Sequence, residues 1–162
     1  MNYYTIMFYV FFAVIILTGL TCMYKIAITD WRRRIIPDAY LFPLLISGLI
    51  TAAFLPGWPN GIHAAIIGGA FGYALAALIG FIFDYRMRRK NPDITAPIGM
   101  GDIKLIFVGG IWLGTRGLAW ALVIACVLGY IWGRKSGNRY IPFAPFFIVG
   151  GILSFIGLAF LL

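Results

Sequence analysis

Glutamate is absent from this chain of 162 residues, and its five acidic groups are all aspartates, set against 13 lysines and arginines. Only 11% of residues are charged while 62% are hydrophobic, and the mean hydropathy is +0.96. Charge this sparse, with no long polar stretch, excludes a separate soluble domain. The two cysteines, Cys22 and Cys126, stand far apart inside apolar runs, which excludes a four-cysteine zinc site and leaves both as packing residues. The start Met1-Asn2-Tyr3-Tyr4-Thr5 has no basic flank, so the first apolar run reads as a permanent span rather than a cleaved signal. Internal repeats and low-complexity tracts are missing too, apart from Gly-Gly pairs that let helices approach closely.

What remains is apolar sequence long enough to cross a bilayer several times. The runs predict an all-α, polytopic membrane protein of about six transmembrane helices, near 6–29, 39–55, 62–83, 98–114, 117–133 and 142–161, in one domain over residues 1–162. Glycine and proline mark the breaks, at Pro56-Gly57-Trp58-Pro59-Asn60-Gly61 and at Gly114-Thr115-Arg116-Gly117. The other three connections carry Arg32, Arg33 and Arg34, then Arg86, Arg88, Arg89 and Lys90, then Arg134, Lys135 and Arg139. Ten basic residues on alternate connections, against Arg116 on the opposite ones, place those three in the cytoplasm and both termini outside. The same asymmetry accounts for the net charge of +8 through anionic lipid headgroups, without a nucleic-acid partner.

Against this background two acids stand out. Asp30 closes the first apolar run, and Asp102 ends the string Gly99-Met100-Gly101-Asp102 and opens another. An acid at the edge of a span is costly and points to function. The first helix descends to the cytoplasmic face and the fourth starts from it, so both carboxylates fall at one water-accessible depth. Side by side they could hydrolyse a peptide bond by general acid–base catalysis, sharing a proton as closely spaced carboxyls do. Gly99 and Gly101 would let an extended substrate backbone pass close to Asp102. Physics alone leaves proton relays and ion pathways open as other uses of the same acids.

Three strings in order make the chain familiar: Asp30 followed by Pro37-Asp38, then Gly99-Met100-Gly101-Asp102-Ile103-Lys104-Leu105, then Ile141-Pro142-Phe143-Ala144-Pro145-Phe146-Phe147. In these the chain resembles the type IV prepilin peptidase family, membrane aspartyl proteases with a Gly-x-Gly-Asp motif, over nearly its whole length. The resemblance implies that Asp30 and Asp102 are the catalytic pair, supported by Gly99, Gly101, Pro142 and Pro145. It implies a prepilin or pseudopilin-like substrate, with a short basic leader ahead of an apolar helix, cleaved on the cytoplasmic side of a bacterial inner membrane. Such a leader would meet the ten basic loop residues, so Asp38, Asp84 and Asp93 are candidates to contact it. Many bacterial members carry two Cys-x-x-Cys pairs associated with methylating the new amino terminus. With two cysteines this chain looks like a short peptidase-only form without methyltransferase activity. No metal, nucleotide or organic cofactor is implied.

Where the family pattern has Pro-Asn, this chain has Pro37-Asp38, and either side chain suits capping of the second helix. Lys104 is expected to snorkel toward headgroups rather than to pair with Asp102, two positions away on its helix. His63 reads as an interface residue on the outer side, and Trp58 and Trp112 as an aromatic belt. The stretch from Asp84 to Pro97 reads as a connector. Two further functions compete with proteolysis: a small proton- or cation-coupled transporter using Asp30 and Asp102, and a non-catalytic partner in a pilus or secretion assembly.

Overall fold

In a computed structural model, which describes residues 2–55, 61–89, 98–136 and 141–161, every regular element is an α-helix. In chain order they are α1 (Tyr3–Arg33), α2 (Asp38–Phe54), α3 (Gly61–Arg88), α4 (Met100–Ser136) and α5 (Phe143–Leu161). Three of them, α1, α3 and α4, are long and apolar enough to cross a membrane, and α2 and α5 are shorter apolar helices. The chain is a multi-pass membrane protein. Trp58 with its turn at 56–60, and Lys90, Pro92, Asp93, Pro97 and Arg139, lie outside the described residues.

The expected six helices become five elements because two of them merge in α4. Its 37 residues would run about 55 Å if straight, nearly twice the ~30 Å hydrocarbon core. Gly114 breaks it, with φ 65° and ψ −178°, a backbone conformation essentially confined to glycine. The expected four-residue turn at 114–117 thus shrinks to one residue. The chain reverses there, as its neighbours show. Leu118 comes within 3.9 Å of where a Cβ on Gly109 would stand, although nine residues of straight helix span about 13 Å. Along α5, Phe147 abuts Gly109 and Gly151 abuts Leu113, rising together, whereas Ile141 abuts Gly133, Gly150 abuts Ala121, and Ser154 bonds the Gly117 carbonyl, falling. Residues 100–113 therefore run parallel to α5 and residues 115–136 antiparallel to it.

Bare glycine surfaces set how closely these helices lie. A Cβ on Gly110 would collide with the Gly68 carbonyl oxygen, and one on Gly68 with the backbone of Gly110 and Gly114, so α3 and the first half of α4 touch backbone to backbone. Packing of this kind suits lipid, where apolar side chains gain nothing by leaving one hydrocarbon surface for another. On the other side of α4, Trp112 fills the space beside Gly19 of α1 and Gly48 of α2. It is 9% exposed, and its indole N–H donates to the Leu44 carbonyl at 2.9 Å. Trp112 is thus no member of an interfacial belt: the two glycines make a slot for the ring, and a main-chain oxygen satisfies its one donor.

α1 runs four residues beyond its expected end, because Trp31 packs edge-on against Trp132 (5.3 Å between ring centroids) and against Phe146 (6.3 Å). α3 likewise continues to Arg88, with Tyr85 stacked on Phe81 and Arg89 lying over the Tyr85 ring. The ends of α1, α3 and α4 and the starts of α2, α4 and α5 meet at one end of the bundle, which carries Arg32–Arg34, Arg86, Arg89, Arg134 and Lys135. His63, exposed in the first turn of α3, belongs to the opposite end.

Gly110→Ala is expected to destabilise the protein by about 1–3 kcal/mol, as overpacking does when backbone rather than a flexible side chain is in the way. Gly157→Ala, which meets nothing within 4 Å, should be neutral or slightly stabilising through its better helix propensity. Thermal unfolding in detergent separates the two, and equal midpoints would contradict the close α3–α4 contact.

Candidate active site

Asp30 sits in the last turn of α1, 5% exposed despite its charge-bearing side chain. Its Oδ2 accepts the backbone N–H of Ala144 at 2.9 Å. Ala144 is in the first turn of α5, where N–H groups have no partner inside the helix and the dipole favours a negative neighbour. Pro142, fully buried, and Pro145 stand on either side of it, each with φ fixed by its ring.

Asp102 lies in the first turn of α4, half-buried. Its Oδ2 accepts the Gly99 N–H at 3.3 Å, while the Gly99 carbonyl receives the N–H groups of Asp102 and Ile103. This is one half of a capping box, with no side chain at Gly99 to complete the other half. A Cβ at Gly99 would stand 3.2 Å from the Asp102 carboxylate, so the bare position gives that group room. Gly101 borders the cavity beside Asp102, and Ile36 of the link between α1 and α2 lies 3.1 Å from where its Cβ would be.

Asp30 and Asp102 line one cavity of about 550 Å³, together with Arg34, Ile36, Gly99, Gly101 and Phe143. Arg34 is the one non-glycine residue with positive φ among those described (φ 57°, ψ 36°). Its N–H caps α1 on the Asp30 carbonyl at 3.0 Å, and it borders the same cavity as Asp30. The left-handed turn takes the chain out of α1 and brings Arg34 and Ile36 onto the cavity wall. In the sequence Arg34 is indistinguishable from Arg32 and Arg33, since nothing marks which residue of a basic run ends the helix.

The remaining acids are placed differently. Asp38 does not cap α2: Pro37 holds the capping position, and no side chain bonds there. The Asp38 carboxylate instead receives Lys104 Nζ at 2.7 and 2.9 Å, so Lys104 pairs across the bundle rather than only reaching for headgroups. The pair, each side chain about half exposed, ties the start of α2 to the turn that carries Asp102. Asp84 stands near the end of α3 and, like Asp38, is not part of the cavity wall. Asp93 is outside the described residues. Cys22 is buried and Cys126 exposed, and neither reaches the cavity. Among the described residues no group of three or more His, Cys, Asp or Glu side chains gathers.

The type IV leader peptidase family matches residues 14–134, a stretch holding both cavity aspartates. Among curated proteins, the chain is 32% identical over 129 residues to a prepilin leader peptidase/N-methyltransferase of Burkholderia pseudomallei (strain 1026b), covering 75% of this chain and 39% of that protein. Proteins of the same name from Xanthomonas campestris pv. campestris (28% identical, 78% of this chain, 44% of the relative) and Pseudomonas aeruginosa (28%, 88% and 48%) are similarly related. The chain thus spans less than half the length of these relatives. No solved structure matches. Because the match takes in most of the chain, including the two carboxylates that share the cavity, the protein belongs to the type IV leader peptidase family.

Proposed function

We propose that this chain is an intramembrane aspartyl endopeptidase that removes the short basic leader of type IV prepilin-like proteins at the cytoplasmic face of a bacterial inner membrane. The observation that carries the reading is the shared cavity: Asp30 and Asp102, 72 positions apart in sequence, line one recess at the basic end of an otherwise apolar bundle. The excess of Lys and Arg at that end favours the cytoplasm for it. Family membership supplies the substrate class. The relatives' names join N-methyltransferase to leader peptidase, and the groups gathered in this cavity suit the peptidase part.

Two adjacent carboxyls do not both ionise readily, so the pair holds one proton between them. The ionised member takes a proton from a water molecule as that water attacks the scissile carbonyl carbon. The protonated member donates to the carbonyl oxygen, and the tetrahedral adduct collapses when a proton passes to the departing amine. Burial of Asp30 and the Ala144 N–H it accepts at the start of α5 fix its position for this work. The aspartates described, Asp30, Asp38, Asp84 and Asp102, all lie toward one end of the bundle, an arrangement that suits a surface reaction better than a proton path through the bilayer.

Asp30→Asn and Asp102→Asn should each lower cleavage of a prepilin-like substrate by at least about 10²-fold, the scale of a lost acid–base group. An amide oxygen can still accept the Ala144 or Gly99 N–H, so thermal unfolding should stay near that of the parent. A gel-shift assay reads the first quantity, and cleavage at the parental rate by both variants would rule the mechanism out. Asp38→Lys and Lys104→Asp should each reduce cleavage about two- to five-fold, in keeping with a half-exposed ion pair. The double exchange should recover most of the loss; losses that simply multiply would show the pair has no part in seating Asp102.

A further inference from the structure

A second opening lies deeper in the bundle, between α1, α4 and α5, and the chemistry above makes no use of it. It holds about 230 Å³ and is lined by apolar groups, among them Leu20, Leu105, Gly109, Phe147, Gly151 and Ile152. The indole N–H of Trp112, which also borders it, is taken up by the Leu44 carbonyl.

The walls of this opening continue those of the acid cavity, turn by turn. On α4, Asp102 is followed at helical spacing by Leu105, Gly109 and Leu113; on α5, Phe143 is followed by Phe147, Gly151 and Phe155. The first of each series lines the acid cavity and the rest line the apolar opening. From Asp102 to Leu113 the strip is about 16 Å long, or three helical turns. The rim residues Leu20, Ile152 and Ile156 are exposed, so the opening faces the surroundings of the bundle sideways.

We infer that this strip is the docking groove for the apolar helix of the membrane substrate, an inference that rests on the peptidase reading. The substrate helix lies against the exposed rim at Leu20, Ile152 and Ile156, and large side chains one to three turns past the scissile bond enter the opening between α1, α4 and α5. The extended segment ahead of the helix crosses the acid cavity. A helix satisfies its own backbone hydrogen bonds and asks of its partner only shape and apolar contact. An extended segment needs polar groups, and the boundary between the two openings is where Asp30, Arg34 and Asp102 give way to Leu105 and Phe147. A volume of about 230 Å³ admits one or two large side chains rather than a helix, so the groove selects by side-chain size on the substrate face. A lipid chain could fill an apolar opening, but would give no reason for its alignment with the two aspartates.

Gly151 permits a direct test, because an added Cβ there stands 3.4 Å from Leu113 and a longer side chain would grow into the groove. In proteoliposomes, Gly151→Leu should raise KM for a prepilin-like protein with its apolar helix by about tenfold. It should weaken cleavage of a soluble peptide covering only the leader junction much less. Leu20→Trp, on the exposed rim, should act in the same direction if the first variant folds poorly. A photoreactive benzoyl-phenylalanine in place of Ile152, in an Asp102→Asn background, should cross-link to the substrate helix within three turns of the junction. Unaltered KM in both variants, or cross-links to lipid alone, would overturn the groove while parental cleavage left the peptidase reading standing. Failure of the parent protein to cleave would overturn both.

Discussion

The bond from the Ala144 N–H to the Asp30 carboxylate is the contact on which the arrangement of the site depends. It joins the last turn of α1 to the first turn of α5, elements separated by most of the chain, and does so at a buried position where an unpaired acid would be very costly. Around it, Trp31, Trp132 and Phe146 close the apolar side of the same junction. The acid is held in place by a main-chain donor at the start of α5.

Asp102 is held by different means. Its turn is fixed from one flank by Ile36 against Gly101 and from another by Lys104 on Asp38, while its carboxylate rests on the Gly99 N–H. One aspartate is therefore seated from a neighbouring helix and the other largely within its own turn. The two meet because the left-handed turn at Arg34 brings the α1–α2 link across the start of α4.

The sequence disclosed the aspartates because an acid is rare in so apolar a chain, and the basic connections because charge asymmetry survives without knowledge of packing. The glycines of the motif were visible, but the partner of Gly101 was not, since Ile36 is an ordinary apolar residue in a short link. Lys104 has one acid near it in the sequence, Asp102 on its own helix, whereas its partner Asp38 stands 66 residues away on another. Trp112 looked like a belt residue because its acceptor, the Leu44 carbonyl, is a main-chain atom with no signature in the side-chain pattern. The merging of two helices into α4 was equally hidden: glycine at 114 announces a break, but not that one residue suffices to make it.

The backbone contact of Gly68 with Gly110 and Gly114 bears on how such a site can move. Side chains at an interface can change rotamer and let helices slide, whereas two main chains in direct contact have no such slack. The α3 helix and residues 100–113 therefore behave as one stiff body, with Asp102 at its tip. The contacts of residues 100–113 with α1 and the link after it run instead through side chains, Trp112 against Gly19 and Ile36 against Gly101, so the slack in the site lies on the side that carries Asp30.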